Sequence, residues 1–154
     1  MHKTIIYHEE ETMTDKTDDL IKQLNNVETQ QEIDDYLESI RDKYPKDFSA
    51  YIKAVFEQKG MSISDVQKLS GIERTYFYQI INGRKNPGRD KIIAIAFACS
   101  MDLAECQRAL EITQEGILYA KSSRDSLIIY AINKHMKVRE LNGFLEEHKL
   151  SPLS

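Results

Sequence analysis

Apolar residues recur at helical spacing in one segment after another, and this periodicity predicts an all-α protein. Leu20, Ile21, Leu24 and Val27 mark a first helix, which weakens at Asn25 and Asn26. Ile33, Leu37, Ile40 and Tyr44 mark a second, with Tyr36 beside the stripe. Thr29 and Glu32 offer it a capping-box start, so it is expected from about Glu32 to Tyr44, where Pro45 stops it. Residues 63–83, ISDVQKLSGIERTYFYQIING, read as two shorter helices. Ser62 with Asp65 supplies a capping-box start, and Ile63, Val66 and Leu69 form the first stripe. Gly71 gives the freedom a sharp turn needs, and Ile72, Phe77 and Ile80 resume the stripe.

The C-terminal part repeats itself at an offset of 35 residues. Residues 89–112, RDKIIAIAFACSMDLAECQRALEI, align with residues 124–147, RDSLIIYAINKHMKVRELNGFLEE. In each, Arg-Asp opens an apolar helix, a methionine follows (Met101, Met136), and a second amphipathic helix begins. Asp90 and Asp125 fall in the first turn, where the helix dipole favours a negative charge. Either helix-start chemistry coincides, or a second hairpin stacks its apolar face on the first and extends the bundle. Between them, residues 112–123 read as a short loop in which Leu118 and Tyr119 tuck inward. Residues 150–154 read as a frayed end or a small hook for a partner.

Two short helices around a tight turn have the outline of a helix-turn-helix, whose second helix enters the DNA major groove. That helix leaves Arg74, Thr75, Tyr78 and Gln79 on its outward face, and such long or polar side chains suit base edges. The segment from about Phe48 to Leu110 resembles the Xre/Cro family of phage-repressor-like helix-turn-helix domains. The likeness extends to a loop of the form NGxxxP, here Asn82, Gly83, Arg84, Lys85, Asn86 and Pro87. The chain departs from the family at Gln67, where a small residue is usual, at Ile63 and at Ile81.

The resemblance implies a five-helix bundle, extended here by a C-terminal helical hairpin and preceded by an N-terminal helical arm. The organisation expected is a disordered acidic tail at 1–16, the arm at 17–45, the reading domain at 46–112 and the hairpin, packed on the same bundle, at 113–154. The resemblance also implies sequence-specific binding of double-stranded DNA by a transcription regulator. Arg74, Thr75 and Gln79 fall where the family touches bases, joined by Tyr78; Arg84 and Lys85 fall where it touches phosphate. Glu73 and Tyr76 complete the phosphate group, with helix capping as the other role of Glu73 and covering of the core that of Tyr76. In the groove, Arg74 would grip the two acceptors of a guanine, Gln79 would pair with an adenine, and Thr75 would touch a thymine methyl.

Charge refines this reading. The net charge of −4 argues mildly against a nucleic-acid partner. Yet residues 1–45 hold 5 basic and 12 acidic side chains (−7), residues 46–100 hold 9 and 5 (+4), and residues 101–154 hold 7 and 8 (−1). A reading domain of only +4 binds nonspecific DNA weakly and leans on base contacts or a second copy, so a homodimer is expected. Three roles stay open for the arm: packing on its own domain, pairing subunits, or an acidic surface that competes with DNA. The alternative function is a protein-binding adaptor that uses the same fold without DNA, through the arm or the C-terminal hairpin.

Other classes find little footing. No HExxH, GxSxG or GxxxxGK pattern occurs and His2, His8, His135 and His148 are scattered, so no enzyme, cofactor or metal site is expected. Cys99 and Cys106 form no CxxC pair and read as small buried apolar groups. No apolar run approaches the roughly 20 residues of a membrane span, and a soluble cytoplasmic protein is the expectation.

Overall fold

A computed structural model describes residues 17–43 and 47–154. The expected tail at 1–16, and Tyr44 with the stop at Pro45, lie outside the described residues. The described chain is all-α, nine helices with no strand. It divides into two units, Met1–Pro45 and Lys46–Ser154.

The first unit contains α1 (Thr17–Asn25) and α2 (Gln30–Lys43). α2 begins two residues before the expected Glu32, because Thr29 is the residue that caps it. Thr29 Oγ1 accepts the Glu32 backbone N–H at 3.1 Å and donates to Glu32 Oε1 at 3.0 Å. Gln30 to Asp34 and Gln31 to Asp35 hydrogen bonds one turn apart support the exposed face. No described side chain of this unit is buried, and Ile21, Leu24 and Leu37 are each at least 40% exposed.

The second unit holds α3 (Phe48–Lys59), α4 (Ile63–Ser70), α5 (Arg74–Ile81), α6 (Arg89–Ala98), α7 (Leu103–Ile112), α8 (Ser123–Asn133) and α9 (Val138–Glu147). Asp47 caps α3 by accepting from Ala50 N at 2.8 Å. α6 is the central helix: every residue from Ile92 to Ala98 is buried, as a helix apolar on all sides requires. α4 lies along one side of it, and α9 packs on another. α3 packs on α5 and α7. Ile52, Val55, Phe56, Val66, Phe77, Ile80 and Ile81 join Ile92 and Ile95 in one continuous core.

The 35-residue repeat is a physical relation between two hairpins, α6–α7 and α8–α9. Arg89 forms a two-pronged ion pair with Asp125 at 3.0 and 2.8 Å, and Arg124 forms the same pair with Asp90 at 3.1 and 2.9 Å. Arg89 also donates to the carbonyls of Gly116 and Ile117, and Arg124 to those of Ser151 and Pro152. Tyr119 N donates to Asp125, and Ser154 N to Asp90. Gln107 holds Leu118 N as Asn142 holds Leu153 N. Left-handed residues recur too, at Ser100 and His135 and at Gln114 and Lys149. Each of these contacts maps onto its partner under the same offset, and contacts between the hairpins run both ways. Reciprocity of this kind belongs to a two-fold relation, in which residue i meets j and j meets i, and not to a one-way stack.

The clasp corrects two expectations. Residues 151–154 are neither frayed nor a free hook: the Ser151 and Pro152 carbonyls and the Leu153 and Ser154 N–H groups are all engaged. Tyr119 does not tuck inward; its backbone N–H serves Asp125 while the residue is 56% exposed, and only Leu118 of the two is buried. The loop also ends one residue early, since Ser122 caps α8 by accepting from Asp125 N and Ser123 is already helical.

Candidate nucleic-acid interface

The turn between α4 and α5 positions α5. Ser62 Oγ accepts from Asp65 N at 3.1 Å to start α4, and Gly71 ends it with φ of 72°. Gln67, at a position where the family has a small residue, sends Nε2 to the Ile72 carbonyl at 2.8 Å. Buried Ser70 accepts from Ile72 N at 3.2 Å and donates to the Gln67 carbonyl. Gln67 and Ser70 together satisfy the backbone of the turn, a role sequence periodicity does not display. Leu69 departs from the expected stripe: it is 47% exposed, and Val66 alone of that trio is fully buried.

Glu73 caps α5, its Oε2 accepting from Tyr76 N at 2.7 Å. That backbone hydrogen bond, with another from Thr75, holds the Glu73 carboxyl below the usual carboxylate range, so the cap is charged at neutral pH. The inner face of α5 is fixed by Phe77, Ile80 and Ile81, each at most 1% exposed. The outer face then follows from the 3.6-residue period.

Arg74 and Thr75 are exposed, and Tyr78 and Gln79 are half-buried at their base. With Asn82 and Arg84 they line one open concavity of about 490 Å³. The Arg74 guanidinium sits 5.9 Å from the Tyr78 ring centroid, and Tyr78 stands edge-on to buried Phe77 at 5.8 Å. An arginine supported by an aromatic face keeps its donors free while losing some of its rotamer freedom. Tyr76 and Tyr78 both rest against the core, so neither is wholly inward.

The following loop is tied to the same helix. Arg84 N and Lys85 N both donate to the Gln79 carbonyl, at 2.8 and 3.2 Å. Gly83 takes φ of 77° where the chain reverses, and Ser49 Oγ donates to the Ile81 carbonyl beneath it. Arg84 and Lys85 side chains remain exposed. The structure thus brings five of the predicted residues, Arg74, Thr75, Tyr78, Gln79 and Arg84, to one concavity, with Lys85 next in the loop and outside its lining. It adds Asn82, which the sequence marked only as the start of the loop.

No group of His, Cys, Asp and Glu able to hold a metal occurs among the described residues, and no described helix is long and apolar enough to cross a membrane. No curated protein and no solved structure matches the chain. Residues 52–105, from α3 into the start of α7, match the helix-turn-helix family model. The chain therefore carries, over that segment, a helix-turn-helix domain of the Xre/Cro kind.

Proposed function

We propose that this protein is a sequence-specific regulator of transcription that reads double-stranded DNA by placing the N-terminal end of α5 in the major groove. One observation carries the reading: Arg74, Thr75, Tyr78, Gln79 and Arg84 border a single open concavity on the side of α5 opposite its buried face. Arg74 offers a fork of donors to guanine O6 and N7, Gln79 a donor and an acceptor to adenine, and Thr75 a methyl to thymine. Arg84 and Lys85 supply cations for phosphate, and the Tyr76 hydroxyl supplies a donor. Glu73 is an anion engaged with its own helix, so its part is to cap α5 and aim Arg74, and not to touch phosphate.

Fluorescence anisotropy on a duplex selected from a random pool tests this. Arg74→Ala and Gln79→Ala should each cost about 1 to 3 kcal/mol of discrimination and leave salt-dependent background binding. Arg84→Ala or Lys85→Ala should weaken all duplexes alike and flatten the slope of log K against log salt by about one. The adaptor reading draws support from the exposed Ile21, Leu24 and Leu37 of the first unit. Binding that neither falls with salt nor distinguishes duplexes would favour it.

A further inference from the structure

The two hairpins α6–α7 and α8–α9 make an isologous interface inside one chain. Arg89 and Asp90 of one meet Asp125 and Arg124 of the other, and the apolar residues repeat in step: Ile93 with Ile128 and Ala96 with Ala131, all buried. Self-complementary surfaces of this type ordinarily join two copies of the same chain. Here both halves are already paired.

The frame is symmetric in its hairpins but not in what they carry. On the first hairpin Ile92, Ile95, Cys99 and Ala109 are at most 1% exposed, within the core shared with α3–α5. Their equivalents 35 residues on are Leu127, Tyr130, Lys134 and Phe144, and none of these is buried. Tyr130 lies tilted against Phe144 with ring centroids 5.7 Å apart, Phe144 meets the ring of His148 at 4.7 Å, and Lys134 lies 5.7 Å from the Tyr130 ring centroid. The polar-tipped Tyr130, 46% exposed, lies against Phe144 on this face with Lys134 beside its ring, as on the outer face of a terminal repeat, and no second head sits there.

We infer that α8–α9 stands where the α6–α7 hairpin of a second copy would stand, so the chain presents one reading head on an internal two-fold frame and takes a single, non-palindromic major-groove segment as its ligand. The inference rests on the DNA reading proposed above. It also replaces the dimer expected from the weak charge of the head. A palindromic operator needs two heads related by a two-fold axis, about 34 Å apart for half-sites one turn apart. This frame supplies one.

The test uses the full chain on duplexes enriched from a random pool, with stoichiometry of the complex read by native mass spectrometry. The expected motif has no dyad and fits within one helical turn, about 10 base pairs. One chain is expected per duplex, with a Hill coefficient of about 1. Tyr130→Glu, on the outer face of the second hairpin, is expected to bind with unchanged affinity and stoichiometry. An enriched inverted repeat holding two chains, or loss of a two-chain complex in Tyr130→Glu, would leave the DNA reading intact and overturn this inference. A pool with no enriched motif would overturn both.

Discussion

Replacing Asp125 by alanine tests the internal clasp at its most buried point. The Asp125 side chain is 9% exposed and Arg89 25%, against 20% for Asp90 and 22% for Arg124 in the mirrored pair. Asp125→Ala removes two charge-assisted bonds from Arg89 and the acceptor of Tyr119 N, while Arg89 keeps the Gly116 and Ile117 carbonyls. A fully buried pair broken on one side costs about 3 to 5 kcal/mol. Water access to Arg89 and its two remaining bonds lower this to about 2 to 3 kcal/mol. Asp90→Ala removes the equivalent bonds, from Arg124 and from the N–H and hydroxyl of Ser154, in a wetter setting and should cost about 1 to 2 kcal/mol. The helix-dipole contribution of a first-turn aspartate is common to both and cancels in the comparison. Urea unfolding followed by far-UV circular dichroism, with an unchanged m-value, measures each. The double variant Arg89→Met/Asp125→Leu should cost less than Asp125→Ala alone, since it leaves no buried charge unpaired. A cost for Asp125→Ala within about 0.5 kcal/mol of zero, as for an ordinary surface change, would refute the clasp.

Other outcomes follow from the same structure. Burial pushes the Asp90 and Asp125 carboxyls up, but hydrogen bonds from Arg124 and Ser154, and from Arg89 and Tyr119, outweigh it and hold both below the ordinary value. Groups depressed in the folded state stabilise it above their unfolded pKa, about 4, and lose that contribution as pH falls further. Stability should therefore drop below about pH 4 in the native protein and drop less in Asp90→Asn/Asp125→Asn, measured by thermal unfolding across pH. His135 is exposed with φ of 55°, so His135→Gly should raise stability by about 0.5 to 1 kcal/mol in urea unfolding. Burial pushes the Cys99 and Cys106 thiols up to about 12, and neither should react with a thiol reagent until the protein unfolds.

Much of this architecture is legible in the sequence because it obeys local rules. Helix periodicity, the Ser62 and Thr29 caps and the glycine turn at Gly71 are set by neighbours three or four residues away. The outward face of α5 follows once Phe77, Ile80 and Ile81 point in. The repeat was visible as text, yet its two-fold sense was not, because that sense depends on Arg89 finding an acid 36 residues away. For the same reason residues 151–154 read as loose: carbonyls that answer Arg124 leave no periodic trace. Leu69 fits the stripe by spacing, but the buried Ser70 takes the inward place at the end of α4. Gln67 bonds across the turn to the Ile72 carbonyl, a contact that apolar periodicity does not mark.

The central claim is that Arg74 reads a base edge, and replacing guanine by 7-deazaguanine, position by position in the selected duplex, tests it most directly. Removing one N7 acceptor should weaken the native protein by about 1 to 3 kcal/mol at a single guanine and leave Arg74→Ala, already weakened, unaffected there. Equal losses in both proteins, or none at any guanine in either, would contradict it.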